Sequence, residues 1–259
     1  MLEYNPLGGG IDADAQAFIT AASITDSTQQ SAINTLVTQL KGYGIWTKMK
    51  ALYPFVGGSA ASHKWNLKDP RDLDAAYRLV FNGGWTHSST GALPNGTTGY
   101  ANTLFIPSVD FSGLVDNSGV TYYNAVAGNP ESDGCYSTNT RFLFGATTSS
   151  VDIRMNTDAN TPNTYSYSST GTGTFTVTKN GTTTVNTYHN GNLIDSTSKV
   201  SALVSKPIFI GARNQDGTPG YYFSQEKRFL GLHTGLNSSE VLALKNLIQT
   251  YQTSLGRQV

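Results

Sequence analysis

A chain of 259 residues in which 17 Lys and Arg balance 17 Asp and Glu carries no basic field to gather phosphates, so nucleic acid is excluded as a partner. Charged residues make up 13% of the chain, about half the usual share, and Gly, Thr, Ser and Asn take their place, which gives a surface that is polar but uncharged. The length suits one compact unit, a large β-sandwich with an appended helical region, and no run approaches the roughly 20 apolar residues that insertion into a membrane requires.

The first residues, Met-Leu-Glu-Tyr-Asn-Pro, have neither a basic segment nor a long apolar one, so no signal peptide is expected and synthesis in a cytoplasm is. Gly8-Gly9-Gly10 reads as a flexible joint and not as a phosphate loop, because no Gly-Lys-Ser or Gly-Lys-Thr follows. Apolar residues at spacings of three and four then predict helices between Asp12 and Tyr53. Asp12 to Ala22 is a short one, with Ala15, Phe18 and Ile19 on its apolar stripe. The next is capped by Asp26 or Ser27, puts Ile33, Leu36, Val37 and Leu40 on one face and stops at Gly42 and Gly44. Ile45 to Tyr53, with Trp46, Met49 and Leu52, is expected to continue as a third helical run until Pro54. One stripe without a core cannot stand alone, so these helices are expected to dock on the sandwich or on a neighbouring subunit.

From about Lys64 short apolar runs alternate with Gly, Asn, Asp, Ser and Pro, the signal of an all-β unit. Asp69 to Ala76, with Pro70 at the first position, predicts a capped helical turn inside it. Strands are expected at Tyr77–Phe81, Tyr122–Val126, Phe142–Phe144, Val151–Met155 and Pro207–Ile210. Between Thr172 and Asp195, Phe175 and Val177 alternate with Thr, and Asn180-Gly181 and Asn190-Gly191 predict type I′ turns of a meander. Asn237-Ser238-Ser239-Glu240 caps a terminal helix carrying Val241, Leu244, Leu247, Ile248 and Tyr251. The predicted core is Phe175, Val177, Leu193, Ile208, Ile210, Leu230, Leu244 and Leu247. Cys135, the single cysteine, can form no intrachain disulfide and reads as a small core or edge residue. His63, His87, His189 and His233 show no metal-ligand spacing.

Residues from about 100 onward resemble the concanavalin A-like and laminin G-like jelly-roll superfamily. The resemblance is carried by Tyr188-His189-Asn190-Gly191-Asn192-Leu193-Ile194, then Ile208-Phe209-Ile210-Gly211-Ala212-Arg213, then Phe229-Leu230-Gly231-Leu232 and the terminal helix. It implies a mainly β jelly-roll sandwich over residues 61–259, with residues 1–60 as a helical docking or assembly region. Trp46 to Gly58 and Gln249 to Arg257 look similar to virion proteins of tailed bacteriophages. That likeness implies a structural, non-enzymatic protein displayed on a virion surface as a head fibre, capsid decoration or tail fibre component. It would hold other virion proteins through its helices, form a homotrimer by analogy with fibres, and adhere to cell-surface or mucosal glycans.

Glycan contact calls for an exposed ring with amide or charged groups beside it. Tyr221 and Tyr222, with Arg213, Asn214, Gln215 and Asp216 just upstream in one Gly/Pro-rich loop, form the first candidate patch, and Tyr165 with Tyr167 the second; the plain alternative is that such rings face the core. Laminin G-like relatives often hold calcium, for which Asp152, Asp158, Asp116 and Asp133 are the candidates, with ordinary turn caps as the alternative reading. A free glycan-binding lectin domain is the non-viral alternative. A glycoside hydrolase is a further one, but the four glutamates, Glu3, Glu131, Glu226 and Glu240, do not form the Glu-x-Asp-x-Glu pattern of sandwich glucanases.

Overall fold

The computed structural model describes residues 10–126, 133–146, 150–158, 164–166 and 171–259, the segments 150–158 and 164–166 as backbone. Two helices come first, α1 (Ala13–Ala21) and α2 (Ser27–Gly42): the Asp12 carboxylate caps the first by accepting from the Asp14 N–H, and Asp26, one of the two caps expected, caps the second by accepting from the Gln29 N–H. The Lys41 ammonium, 2.7 Å from Asp12 and 2.6 Å from Asp14, ties the end of α2 to the start of α1.

The third expected helix is replaced by one 3₁₀ turn, Trp46–Lys48, and a strand, β1 (Met49–Tyr53). Apolar residues at 46, 49 and 52 satisfy a helical spacing, but pairing with a distant strand overrides it. After α3 (Ala60–His63), the turn expected at Asp69–Ala76 is helical only over Asp74–Ala76. Its acids are drawn elsewhere: Arg71 holds both Asp69 oxygens, at 2.6 and 2.5 Å, and Lys64 holds Asp72 at 2.7 Å.

The strands follow as β2 (Val80–Asn82), β3 (Trp85–Ser88), β4 (Gly91–Pro94) and β5 (Tyr100–Asn102), the short α4 (Pro107–Asp110), then β6 (Asn117–Asn124), β7 (Asp133–Ser137), β8 (Thr140–Ala146), β9 (Ser150–Asp158) and β10 (Thr164–Ser166). β11 (Gly173–Asn180), β12 (Thr184–His189), β13 (Asn192–Ser198), β14 (Phe209–Ile210), β15 (Arg213–Gln215), β16 (Thr218–Gly220), β17 (Lys227–His233) and the helix α5 (Ser238–Ser254) complete the chain. One sheet runs β13-β12-β11-β6-β17-β4-β3, with β1 also paired to β17; the other runs β10-β9-β8-β7-β14-β5-β2, with the β15–β16 hairpin beside β7. The architecture is therefore mainly β, a jelly-roll-like sandwich of two sheets with a C-terminal helix. Asn190 and Gly191, at φ 49° and 82°, make the expected two-residue turn between β12 and β13. At Asn180-Gly181 only the glycine has positive φ, and the connection to β12 is longer.

Strand alternation divides the apolar residues between two cores. Phe175, Val177, Val120, Tyr122, Ile208, Ile210, Leu230, Leu232 and the buried Cys135 fill the space between the sheets. Tyr123, Tyr188, Phe229, Met49 and Leu52 point the other way and meet Phe18, Ile33, Leu36, Leu40, Leu244 and Leu247 of the helices. Met49 and Ala51 face opposite sides despite being two apart, because a bulge separates them in the pairing with β17. The helices thus form a third layer on the first sheet, and β1, in the N-terminal region, is one of that sheet's strands. Leu193, expected in the core, is 53% exposed. It lies on the edge strand β13, and its neighbour Ile194 turns toward the inter-sheet core instead.

The helix-facing side of the first sheet also buries a polar chain. The Thr121 hydroxyl lies 3.0 Å from the Thr176 hydroxyl and 3.0 Å from His233 Nε2, and His233 Nδ1 donates to the Thr234 carbonyl at 2.8 Å. Burial pushes His233 down to about 4. Elsewhere His63 Nδ1 and His87 Nδ1 are hydrogen-bonded at 2.9 Å. Burial, then His87 and Arg257 nearby, push His63 down to about 3, and burial lowers His87. The unfolded chain, with its histidines near 6.5, takes up these protons before the folded chain does. Stability is therefore complete above about pH 6.5 and declines as pH falls from there toward about 4. Urea unfolding across that range should show a falling midpoint, and His233→Gln a shallower decline; a midpoint flat from pH 7 to about 4.5 would contradict the burial of neutral histidines.

Candidate recognition surface

Because helices pack on the first sheet, the other broad face belongs to the second sheet, and the β15–β16 hairpin extends it; on this face Leu143 and Phe209 are buried, and Tyr136, Arg141, Arg213 and Gln215 are half-buried. Gln215-Asp216-Gly217-Thr218 is a two-residue turn with φ of 50° at Asp216 and 105° at Gly217, and Gln215 pairs with Thr218. What the sequence reads as a Gly/Pro-rich loop is therefore a fixed hairpin. It is anchored on β7: Arg213, Asn214 and Gln215 run parallel to Gly134, Cys135 and Tyr136.

Alternation along β15 separates the candidate residues. Asn214 is fully buried beside Cys135; its amide donates to the Pro207 carbonyl at 2.8 Å and its oxygen accepts from the Gly217 N–H at 2.8 Å. It builds the turn and does not face solvent. Arg213 and Gln215 project with Tyr136, and the Tyr136 hydroxyl donates to Gln215 Oε1 at 2.8 Å. Arg141 lies opposite Tyr136 on β8, its guanidinium carbon 5.8 Å from the ring centre. The Arg213 guanidinium lies 4.8 Å from the centre of the Tyr221 ring, close enough for cation–π attraction.

Tyr221 is 53% exposed and sits at φ 51°, a left-handed conformation that an aromatic residue adopts only when its surroundings impose it. Asp216 is exposed at the hairpin tip and Tyr222 is half-buried. Tyr165 is on β10, the edge of the same sheet, with its side chain outside the described residues; Tyr167 lies outside them altogether. Tyr136 and Arg141 join the surface through strand register, a relation that sequence spacing does not reveal.

The calcium candidates divide. Asp133 is bound by the Lys227 ammonium at 2.6 Å, and Asp116 accepts from the Ser201 hydroxyl with Lys179 at 3.7 Å, so lysines already neutralise both and the pair does not fit a calcium set. Asp152 and Asp158 lie on β9 with side chains outside the described residues. Among the described residues no group of three His, Cys, Asp or Glu is placed to hold a metal.

No protein-family model and no curated protein sequence matches the chain. Solved structures do match in fold. The binding domain of botulinum neurotoxin DC in complex with rat synaptotagmin II superposes with a TM-score of 0.54 at 13% identity, covering 79% of this chain and 53% of that one. The same binding domain in complex with SialylT gives 0.50 at 12%, over 79% and 52%. A botulinum neurotoxin type C structure, described as dependent on interaction with two ganglioside molecules for cell entry, gives 0.52 at 12%, over 80% and 52%. The chain spans about half the length of these structures, and at such identities the likeness is one of fold: a two-sheet β-sandwich.

The turn geometry predicts that Gly217→Ala, forced to place a side chain at φ 105°, lowers stability by about 1 kcal/mol in urea unfolding. An unchanged midpoint would show that this turn is not held as described.

Proposed function

We propose that the chain is a non-catalytic carbohydrate-recognition module that binds through the outer face of its second sheet around the β15–β16 hairpin. The observation that carries this reading is the pairing of Tyr221 with Arg213 beside Tyr136, Gln215 and Arg141 on adjacent strands. An exposed tyrosine presents a flat apolar face to the C–H side of a sugar ring, while guanidinium and amide groups reach its hydroxyls or a carboxylate. The fold neighbours, described as binding gangliosides, SialylT and synaptotagmin II, supply a second support, since they use the same kind of scaffold for recognition. Against hydrolysis, Glu226 is held by the Thr90 hydroxyl at 2.5 Å and Arg228 at 2.6 Å, and Glu240 caps α5 and pairs with Lys48.

Display on a bacteriophage virion is the finer reading. It rests on the resemblance of Trp46–Gly58 and Gln249–Arg257 to virion proteins, two segments that meet in the fold: Arg257 donates to the carbonyls of Phe55 at 2.7 Å and Pro54 at 3.3 Å. The apolar faces of α1 and α2 are used inside the chain, so docking to other virion proteins would run through their outer, polar faces. The homotrimer belongs to this reading, and light scattering of the intact chain tests it.

A glycan array carrying neutral and sialylated sugars should retain the chain. Tyr221→Ala should weaken that binding about tenfold without changing the melting temperature, because the ring is exposed. Binding undiminished in both Tyr221→Ala and Tyr136→Ala would overturn the assignment.

A further inference from the structure

Lys227 opens β17 in one sheet, Asp133 opens β7 in the other, and their side chains meet across the end of the sandwich. Lys227 Nζ stands 2.6 Å from Asp133 Oδ2, with the two side chains 10% and 8% exposed. The Phe223 ring lies 4.3 Å from Nζ, and Tyr122, Phe144 and Phe229 line a cavity of about 20 Å³ beside the pair. Asp133 Oδ1 accepts from the Gly211 N–H at 2.6 Å. Each group is thus fixed against the other, away from bulk solvent, beside a cavity that Asn124, Gln225 and Glu226 also line and that admits about one water molecule.

A buried ion pair pays a large desolvation penalty, and the neutral acid and neutral amine are the forms that burial favours. Burial pushes Asp133 up even with Lys227 beside it, and pushes Lys227 down. A neutral amine held against a neutral carboxyl is the reactant pair of an amide condensation, with the entropy of encounter already removed.

We propose that Lys227 and Asp133 join in an intramolecular isopeptide bond that ties the two sheets together. The ammonium passes one proton to Oδ2, and the freed lone pair of Nζ attacks Cγ. The carbonyl electron pair moves onto Oδ1, where the Gly211 N–H stabilises the charge. A second proton passes from Nζ to Oδ2, the Cγ–Oδ2 bond breaks, water leaves into the cavity, and the carbonyl re-forms at Oδ1. One water is released for each amide formed, and no oxidant or cofactor is consumed.

The same chain holds a built-in comparison. Lys179 and Asp116 are 3.7 Å apart, the Ser201 hydroxyl stands between them, and the Asp116 side chain is 35% exposed, so this pair is not caged and stays ionic.

Intact-mass measurement on the purified, denatured full-length chain tests the proposal together with a tryptic map. The expected result is a mass lower than that of the sequence by one water, and a branched peptide joining the segments that contain Asp133 and Lys227. Lys227→Arg keeps a cation but cannot condense in this way, and should run at its full sequence mass. If that variant does not fold, the map of the unaltered chain decides alone. Full sequence mass after prolonged incubation, with trypsin cleaving after Lys227, would overturn the proposal. So would a water loss that maps to a succinimide at Asp216-Gly217.

Discussion

The structure depends on burying both faces of its first sheet. β17 is the strand on which this turns: it pairs with β6 along one side, with β1 and the end of β4 along the other, and sends Leu230 and Leu232 to one core and Phe229 and His233 to the opposite one. α2 and α5 have one apolar stripe each and find it covered only because that second face exists. The close of the chain follows from the same arrangement. Arg257, 3% exposed, leaves α5 and donates to the carbonyls of Pro54, Phe55, Thr90 and Arg228, which binds the helix layer to the sandwich rim.

Features set by neighbours in the chain were legible in the sequence. Asp26 and Asn237 cap their helices, because a cap depends on a side chain and the next three amides. Asn190-Gly191 made its turn for a similar reason. β1, β3, β4 and β5 were not legible: they are three to five residues long, and their pairing is with strands far away in sequence for β1 and β5. Asp216-Gly217 carried a hairpin signal as clear as Asn190-Gly191, and its flanking strands were too short to draw attention to it.

The surface shows the same division. Arg213 and Tyr221 are eight positions apart on one hairpin, and the structure brings them into contact. Asn214 between them reads in sequence like an equal member of the patch, yet strand parity sends it inward to hold the turn. Tyr136 enters only through the parallel register of β15 on β7, 79 residues earlier in the chain, and Arg141 through its pairing with Tyr136 across β7 and β8. Asp133 reads as an ion ligand in a loop, whereas a lysine 94 positions away claims it across the sandwich.

Ligand recognition by the outer face of the second sheet is what we propose. Its most direct test is to map amide chemical-shift changes on the intact, isotope-labelled chain while titrating the glycan that it retains best. The account predicts changes centred on Tyr136, Arg141, Arg213, Gln215 and Tyr221, with α1, α2 and α5 unmoved. Changes centred on the helix layer, or on the β12–β13 edge, would contradict it.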